Sequence, residues 1–235
     1  MSNEIYKKFL SSGFGEANAK SSRHMIELYK HNYSRYLPSD KSARILDIGC
    51  GMGQFLEFLG TEGYANFLGI DVSPEAIAYC EEKGISCVKQ IDDLNEYLAT
   101  SGMYDVVVLN DVIEHFQGVE VIPILRKIHE KLNVGGIIIV KTGNLSSLVG
   151  PRMRYIDFTH YLGFTEYSLE QVLKVAGFGD IMMSPFVFPK NRLTRLIRFV
   201  IQKFIHAFWK LTYFFEFTGV PKIVDELIFV VGKKL

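Results

Sequence analysis

Three glycines at alternate positions, Gly49, Gly51 and Gly53, follow an apolar run that begins at Ile45. Glycine here permits a tight turn and lets a ligand approach bare backbone, beside the free N–H groups at the start of a helix. The triplet could also be only a sharp turn between a strand and a helix. Asp47, two residues before the first glycine, adds a negative charge that suits a positively charged ligand and suits a pyrophosphate poorly.

A carboxylate at the end of the next apolar run favours a ligand site. The run 67–71 ends in Asp71, 18 residues after Gly53. An acidic side chain at this place can accept hydrogen bonds from both hydroxyls of a ribose; its alternative role is to cap the next helix. The Gly-x-Gly-x-Gly spacing and the lack of a Gly-Lys-Ser/Thr sequence disfavour a dinucleotide site and a P-loop. The pattern predicts a nucleoside ligand without pyrophosphate or triphosphate.

A polar segment, 151–160, follows the fifth apolar run and carries two arginines, an aspartate and a histidine. Asp157 and His160 could form an oriented acid/base pair, because an aspartate beside a histidine fixes the ring tautomer and raises its basicity. Arg152 and Arg154 could bind a phosphate or carboxylate through paired hydrogen bonds. The alternatives are a histidine that only braces the next helix and arginines that remain solvated.

Two further side chains complete the candidate catalytic and substrate-binding set. His115 closes the segment after the fourth apolar run, and an unperturbed imidazole has a pKa in the working range of a general base. It could instead hold the following loop by a hydrogen bond. Tyr155 lies between the arginines and the aspartate of the polar segment, and we expect it at the substrate.

Elements that would position these residues alternate along the chain from residue 43 onward, as in β-α units around a mostly parallel sheet. We predict strands at 43–48, 67–71, 85–89, 104–110, 136–142, 180–188 and 226–233. We predict helices at 53–60, 74–83, 119–132 and 166–177. The expected fold is α/β and Rossmann-like, with seven mostly parallel strands, an antiparallel last strand and helices on both faces. Such a fold gathers the candidate residues at the carboxyl ends of the parallel strands.

The two ends of the chain depart from this pattern. Residues 1–40 predict an N-terminal helical cap with helices at 3–12 and 22–36, which could form a lid or simply cover the sheet. The main domain follows at 41–235. Within it, residues 190–217 fit no β-α unit and predict a helical insertion before the last strand.

The insertion is amphipathic, with apolar and basic residues at different helical positions. Its apolar positions are Leu193, Leu196, Ile197, Val200, Ile201, Phe204, Ile205 and Phe208, and its basic ones are Lys190, Arg192, Arg195, Arg198, Lys203 and Lys210. With Trp209, Phe214 and Phe215 nearby, this pattern is typical of a peripheral membrane anchor. A homodimer contact or packing on the chain's own sheet would use the same apolar face. Nucleic acid is disfavoured, because the aromatic residues follow the apolar side.

Composition excludes several classes of partner. The 235 residues carry 26 basic and 26 acidic side chains, so no bulk attraction to nucleic acid or membrane is expected. Cys50, Cys80 and Cys87 are too few and irregular for a disulfide framework or a zinc site of paired cysteines. The first residues lack the apolar core of a secretory signal, and no run of about 18 apolar residues occurs. We expect a cytoplasmic protein that could contact the inner membrane face peripherally.

Three motifs, in order and at the right spacing, make residues 40–235 resemble the class I S-adenosylmethionine (SAM)-dependent methyltransferases. They are Leu46-Asp47-Ile48-Gly49-Cys50-Gly51-Met52-Gly53, Gly69-Ile70-Asp71-Val72-Ser73 and Tyr104-Asp105-Val106-Val107-Val108-Leu109-Asn110-Asp111-Val112-Ile113-Glu114-His115. The resemblance implies SAM as the cofactor, with no metal expected.

The same resemblance implies roles for individual cofactor-binding residues. Gly49, Gly51 and Gly53 would wrap the methionine end of SAM with Asn110 beside it, Asp71 would hold the ribose, and Gln90 and Ile91 would border the adenine. Asp47 and Val72 complete the expected cofactor-binding set. Many relatives have an acidic residue where Gln90 falls, so Asp92 or Asp93 could do that work instead.

The stretch from His160 to Phe178 is similar to a subgroup often met in polysaccharide, lipopolysaccharide and natural-product pathways. This resemblance implies O-methylation of a sugar, sugar phosphate or nucleotide- or carrier-linked glycan in surface polysaccharide biosynthesis. Lack of an Asn-Pro-Pro-Tyr-like sequence after the fourth strand disfavours amino methylation. Two alternatives stay open: a quinone or lipid acceptor at a membrane surface, and a SAM-binding protein without turnover.

Overall fold

A computed structural model describes residues 22–189, 193–217 and 219–235, together with Ile5 and Ser11. The helix predicted at 3–12 therefore lies outside the described residues, apart from those two positions. The second predicted helix, 22–36, is shorter and ends at Tyr33, where a turn formed by Tyr36 N–H donating to the Tyr33 carbonyl (2.8 Å) replaces it. Pro38 prevents any extension past Tyr36, because Leu37, the residue before it, is disfavoured in helical conformation.

Seven strands form one mixed sheet, as predicted. They are β1 (Ile45–Ile48), β2 (Phe67–Asp71), β3 (Val88–Gln90), β4 (Tyr104–Asn110), β5 (Leu132–Gly143), β6 (Gly179–Pro185) and β7 (Leu227–Lys233). Their order across the sheet is β3-β2-β1-β4-β5-β7-β6. The first five pair in parallel, and β7 runs antiparallel to both β5 and β6. The Rossmann-like prediction is confirmed.

Helices flank this sheet on both faces. Within the described residues they are α1 (Ser22–Tyr33), α2 (Gln54–Thr61), α3 (Pro74–Glu82), α4 (Leu94–Thr100), α5 (Gly118–Lys131), α6 (Gly150–Tyr155), α7 (Glu166–Val175) and α8 (Leu193–Glu216), with a 3-10 turn at Ile113–His115. None of the helices in these parts of the chain combines the length and apolar character that a membrane crossing requires.

Most element bounds differ from the prediction by a residue or two, and besides α1 three strands differ more. Strand β3 begins at Val88 instead of 85, because Ile85 still belongs to the end of α3, where its N–H donates to the Cys80 carbonyl at 2.9 Å. Strand β5 begins at Leu132 instead of 136, because Leu132 pairs with Tyr104 ahead of a register shift. Strand β6 ends at Pro185 rather than 188.

Two short helices were missing from the prediction. Helix α4 begins at an N-cap, where Asp93 accepts the Glu96 N–H at 2.9 Å. Helix α6 occupies the first part of the segment predicted to be a polar loop, with Pro151 in its first turn, where the absent N–H costs nothing. Both are too short to leave a clear apolar period in the sequence.

One apolar layer lies on each face of the sheet. On one face, α5 and α7 contribute Leu125 and Leu169 to a buried cluster with β4 and β5. On the other face, α1 and α2 pack Tyr33 and Phe58 against Phe229 of β7. Helix α1 is therefore part of the core.

The sheet order reverses between β2 and β4, which both pair with β1. In open α/β sheets this switch point leaves a crevice at the carboxyl ends of the strands, where ligands bind. The candidate residues at 49–53, 71 and 110 all follow or end these three strands.

Candidate functional site

A cavity of about 690 Å³ opens at this switch point, a volume within the range of small-molecule sites. Its wall includes residues 49–52 of the glycine loop (residues 49–53), the ends of β2 and β4, and four residues of the segment 156–161, namely Ile156, Asp157, His160 and Tyr161. All three predicted catalytic residues and most of the predicted cofactor residues therefore share one cavity.

The glycine loop depends on backbone conformations that favour glycine. Gly49, Gly51 and Gly53 have φ values of 71°, 50° and 74°. A Cβ on Gly51 would meet nothing within 4 Å, so its open side is room for a ligand. A Cβ on Gly53 would lie 2.8 Å from Ile85, so this glycine allows packing under the loop and does not line the cavity.

Asp71 at the end of β2 ties the glycine loop to the next strand. Its carboxylate accepts the Gly51 N–H at 2.9 Å and the Ser73 N–H at 2.8 Å. Helix α3 is capped by Ser73, which accepts the Ala76 N–H, so the alternative capping role falls to the neighbouring residue. Burial raises the pKa of Asp71, and the N–H groups oppose this by favouring the carboxylate.

Two buried polar groups face the cavity without a partner among the described residues. They are Oδ1 of Asp47, which is 1% exposed, and Nδ2 of Asn110. Tyr33 donates to Oδ1 of Asn110, which fixes that amide. Burial, and then the charge of Asp71, raise the pKa of Asp47 well above its usual range. Orphaned groups of this kind are costly, so this wall fits a ligand that donates to Asp47 and accepts from Asn110.

On the side of β3, the cavity is lined by Val72, Ile91, Asp92 and Asp93. Gln90 is exposed and is not part of the wall. The Asp93 carboxylate already caps α4, which leaves Asp92 as the better placed acidic substitute for Gln90.

His115, Asp157 and His160, here called the polar cluster, converge on the opposite side of the cavity. One ligating atom from each lies within 4.8 Å of the others. The two histidine rings are 4.7 Å apart and nearly perpendicular. The structure thus brings all three predicted catalytic candidates together.

Their contacts differ from the predicted direct pair of Asp157 and His160. Oδ1 of Asp157 accepts the Thr159 hydroxyl at 2.7 Å and the Thr159 N–H at 2.8 Å. The same hydroxyl lies 2.9 Å from Nδ1 of His115. Nδ1 of His160 contacts the Met153 carbonyl at 2.9 Å. Asp157 therefore reaches His115 through Thr159, and His160 is oriented by backbone.

A backbone clamp holds the segment of the cluster against the turn that carries His115. The Glu114 carbonyl accepts N–H groups from Tyr161 and Leu162, at 2.9 and 3.0 Å. The Glu114 side chain is buried and accepts a hydrogen bond from the Thr142 hydroxyl at 2.9 Å, and burial raises the pKa of Glu114 to about 8. Burial, and then His160, lower the pKa of His115, which keeps its imidazole neutral at physiological pH.

The predicted substrate-binding residues lie outside the cavity wall. Arg152 is exposed, and Arg154 donates to the Tyr161 carbonyl at 2.8 Å while lying over the Tyr155 ring. Tyr155 is 78% exposed. Arg154 braces the mouth of the cavity, and the arginines as a pair do not face its interior.

An apolar rim borders the cavity on the side of the polar cluster. It consists of Tyr155, Ile156, Phe158 and Tyr161, all exposed, with Phe158 at 90%. Ile156 and Tyr161 also line the cavity. A ligand entering past the polar cluster therefore meets apolar surface first.

Comparison with known proteins identifies the family. A methyltransferase domain model matches residues 21–181. The chain belongs to the SAM-dependent methyltransferase family. The ubiquinone biosynthesis O-methyltransferase of Azorhizobium caulinodans is 38% identical over 125 residues, covering 51% of this chain and 47% of that protein. The chain thus spans about half the length of the curated relatives it matches.

Solved structures confirm the methyltransferase fold. A SAM-dependent methyltransferase from Archaeoglobus fulgidus gives a TM-score of 0.69 at 24% identity, covering 94% of this chain and 98% of that one. Phosphoethanolamine N-methyltransferase 2 of Haemonchus contortus, in complex with phosphomonomethylethanolamine and S-adenosylhomocysteine, gives 0.59 at 18% identity. That match covers 100% of this chain and 58% of the other.

The cavity fits SAM, the cofactor of this family, on three observations. Asp47 offers an unpartnered oxygen to an ammonium, and Asn110 offers an unpartnered N–H to a carboxylate. Gly51 leaves open space beside its backbone. Asp71, at the end of β2, carries the carboxylate expected at a ribose.

Sequence reasoning missed residues that organise the site through their partners. Thr159 joins Asp157 to His115, and its only signal was its place inside the predicted polar segment. Lys141 is buried in β5 and pairs with Asp111, which has a positive φ of 55°. A lysine inside an apolar strand was the available signal. Tyr33 left none, because its contact with Asn110 joins positions 77 residues apart.

Proposed function

We propose that this protein transfers a methyl group from SAM to a hydroxyl oxygen of an acceptor that also has an apolar part. The observation that carries the proposal is the single cavity with two chemically different sides, here called the cofactor half (glycine loop, Asp47, Asp71, Asn110) and the acceptor half (polar cluster and apolar rim). Methyl transfer requires chiefly that two reactants be aligned across such a gap.

Residues of the cofactor half would hold SAM in a fixed orientation. Asp47 accepts from its ammonium, Asn110 donates to its carboxylate, and Asp71 accepts from its ribose hydroxyls. SAM, when bound, supplies a methyl group on a positively charged sulfur that is open to in-line attack.

Residues of the acceptor half would hold the hydroxyl and help its proton to leave. The acceptor oxygen forms the new C–O bond while the C–S bond breaks and its electron pair stays on sulfur. The hydroxyl proton leaves past the polar cluster to water at the open mouth. Because Asp157 and Thr159 are buried and mutually bonded, His115 keeps one orientation during this step.

An apolar portion of the acceptor is supported by the rim. Four exposed apolar side chains around one opening form a patch that water solvates poorly. An acceptor with a lipid tail or an apolar ring would cover these side chains while its hydroxyl reaches the cluster.

Helix α8 supports an acceptor that resides in a membrane. None of its residues is buried, and its half-exposed side, with Arg195, Gln202 and His206, faces the domain. Its apolar side points outward; Phe204 and Phe208 are 74% and 71% exposed. Where Ile197, Ile201 and Ile205 approach the domain, they border an open groove of about 480 Å³.

The charge of α8 indicates whether a membrane or a second copy of the chain covers this outward face. Among the described residues of α8, four carry Lys or Arg side chains and Glu216 is its acidic one. Arg195 faces the domain near Glu27 and Lys210 donates to the Lys222 carbonyl, so Arg198 and Lys203 are the exposed basic residues. An apolar face flanked by basic residues complements an anionic bilayer surface. A second copy of the chain would bring basic residues against basic residues. We therefore propose peripheral membrane contact through α8.

A phenolic or quinone-type ring with a lipid tail is the first candidate acceptor, supported by the similarity to ubiquinone biosynthesis O-methyltransferases. A lipid-carrier-linked glycan in surface polysaccharide synthesis is the second. Such a glycan also has a hydroxyl and a lipid tail. Arg152 is exposed beside the rim and outside the cavity wall, where it could bind a carrier phosphate.

The test is release of S-adenosylhomocysteine by the full chain in vesicles. Polyprenylated phenols, lipid-linked glycans, water-soluble sugar nucleotides and phosphoethanolamine are offered separately. We expect turnover with a lipid-borne hydroxyl, reduced turnover at limiting SAM in Asp47→Asn, and no change in Glu170→Gln on the distant helix α7. Turnover with phosphoethanolamine alone would contradict O-methylation, and SAM binding without turnover on any acceptor would indicate a non-catalytic protein.

A further inference from the structure

We infer that His115, Asp157 and His160 form a site for one divalent transition-metal ion, with zinc as the fitting ion. The inference rests on the proposed function, since it gives the polar cluster its means of acting on a hydroxyl. The three side chains come from two segments about 40 residues apart and offer ligating atoms within 4.8 Å of one another. A tetrahedral zinc ion holds its ligand atoms roughly 3.3 Å apart, so small rotations close the cluster around an ion.

The tautomer of each histidine can be read from its partner. The Met153 carbonyl can only accept, so Nδ1 of His160 carries the proton and leaves the lone pair on Nε2. Thr159 donates its one hydroxyl proton to Asp157, so it must accept from Nδ1–H of His115. Both rings therefore carry a proton on Nδ1.

This arrangement matches the surroundings of metal-binding histidines. Such a ring almost always donates its other N–H to a backbone carbonyl, a carboxylate or a group bonded to one, which fixes its direction. Here one ring donates to a carbonyl and the other to a hydroxyl that is bonded to Asp157. The Asp157 side chain is only 6% exposed, and a nearby cation would compensate its buried negative charge.

Two imidazoles and one carboxylate are a ligand set that zinc accepts, and three protein ligands leave a fourth position open. The cluster lines the cavity, so that position faces the acceptor. An acceptor hydroxyl there would lose its proton more readily, because coordination to a divalent ion lowers the pKa of the bound oxygen group.

Metal binding is measured on the full chain after chelator treatment and gel filtration, without SAM. Calorimetry with Zn²⁺ and visible absorption with Co²⁺ report stoichiometry and geometry independently of activity. We expect one equivalent bound, and at least about 100-fold weaker binding in His160→Ala and in Asp157→Asn. Thr159→Val keeps all three ligands and should weaken binding by about 10–100-fold, as loss of an orienting partner does.

The control is His31→Ala, an exposed histidine on α1, which should bind Zn²⁺ and SAM as the parent does. SAM calorimetry on every variant identifies any that fails to fold, and His160→Ala keeps the test valid if the buried Asp157 position does not tolerate change. No Zn²⁺ or Co²⁺ binding, or equal binding in all variants, would overturn the inference.

The two proposals fail in different ways. Full turnover by the chelator-treated enzyme, with no metal bound, would remove the metal site and leave O-methylation standing with an imidazole as the proton acceptor. Stoichiometric zinc binding without turnover on any hydroxyl acceptor would support the metal site and contradict O-methylation.

Discussion

The cofactor half of the cavity is held by hydrogen bonds between neighbouring strands and the loops that follow them, whereas the acceptor half joins two segments that are distant in the sequence. Asp71 fixes the glycine loop through the Gly51 N–H, and Gly49 N–H donates to the Ile70 carbonyl at 2.8 Å. In the acceptor half, the Glu114 carbonyl clamps the two segments together, and the Thr159 hydroxyl joins Asp157 to His115. A change in the first half should therefore alter cofactor affinity, and a change in the second should alter acceptor chemistry alone.

Gly49→Ala should have the largest effect on this comparison. Its φ of 71° disfavours any side chain, and the new Cβ would lie 2.5 Å from Val112. Left-handed strain costs about 1–3 kcal/mol, and the clash adds to it, so we expect SAM affinity to fall by about 100-fold in calorimetry.

The matched control is Gly84→Ala, which has a similar φ of 78° but open space around its Cβ and lies away from the cavity. It should lower the free energy of unfolding by about 1 kcal/mol and leave SAM affinity unchanged. Equal losses of affinity in the two variants would mean that the glycine loop is not the cofactor site.

Phe204→Glu combined with Phe208→Glu should remove membrane contact without touching either half of the cavity. Each change replaces an exposed apolar side chain on α8 by an anionic one, so binding to anionic vesicles should fall at least about 10-fold in flotation. Val134→Glu, which is 83% exposed elsewhere, is the control. If the parent fails to float but elutes as a dimer that the double variant disrupts, α8 is a subunit interface instead.

The pH dependence of SAM binding should identify Asp47 as the anionic partner of the cofactor. Since burial raises its pKa, affinity should fall as pH falls through that raised pKa, because a protonated carboxyl no longer attracts an ammonium. The free energy of unfolding of the free protein should depend on pH in the opposite sense. It should fall as pH rises from the ordinary carboxyl range toward the raised pKa, because ionising the buried group is costly.

Asp47→Asn should flatten both dependences, lower SAM affinity about 10-fold at neutral pH and raise the free energy of unfolding of the free protein by about 1 kcal/mol. Calorimetry and urea unfolding from pH 5 to 9 measure these effects. An unchanged pH profile in the variant would assign the titration to Asp71.

Phe158→Ser should produce the smallest effect and the most selective one. Its side chain is 90% exposed on the rim, so the fold does not depend on it. We expect KM for a lipid-borne acceptor to rise about 3–10-fold, as one apolar contact allows, with SAM affinity unchanged. An equal rise in KM for a water-soluble acceptor would show that Phe158 acts on the polar cluster and not on the apolar part of the acceptor.

The placement of the glycine loop beside Asp71 could be predicted from the sequence, because its determinants are local. Alternating glycines and a strand-end aspartate must lie together once β1 and β2 pair, since Ile48 is in register with Ile70. The acceptor half was predicted as a set of residues but not as a network. Whether Asp157 meets His160 or Thr159 depends on side-chain directions in the turn after α6, which no periodic pattern encodes. Lys141 left a signal, a lysine inside an apolar strand, but its pairing with Asp111 and the link between Tyr33 and Asn110 depend on tertiary packing.

Helix α8 leaves the sheet after its edge strand, β6, and the chain returns in β7, which pairs with β6 from Gly179↔Lys233 to Pro185↔Ile228. The ladder on either side is complete without the helix. Its length, charge and apolar content can therefore diverge between relatives while strand register and the methyl-transfer cavity stay the same. On the membrane role proposed for α8, the membrane contact and the methyl-transfer cavity lie in separate elements, so exchanging this one helix should change where the protein binds without changing its reaction.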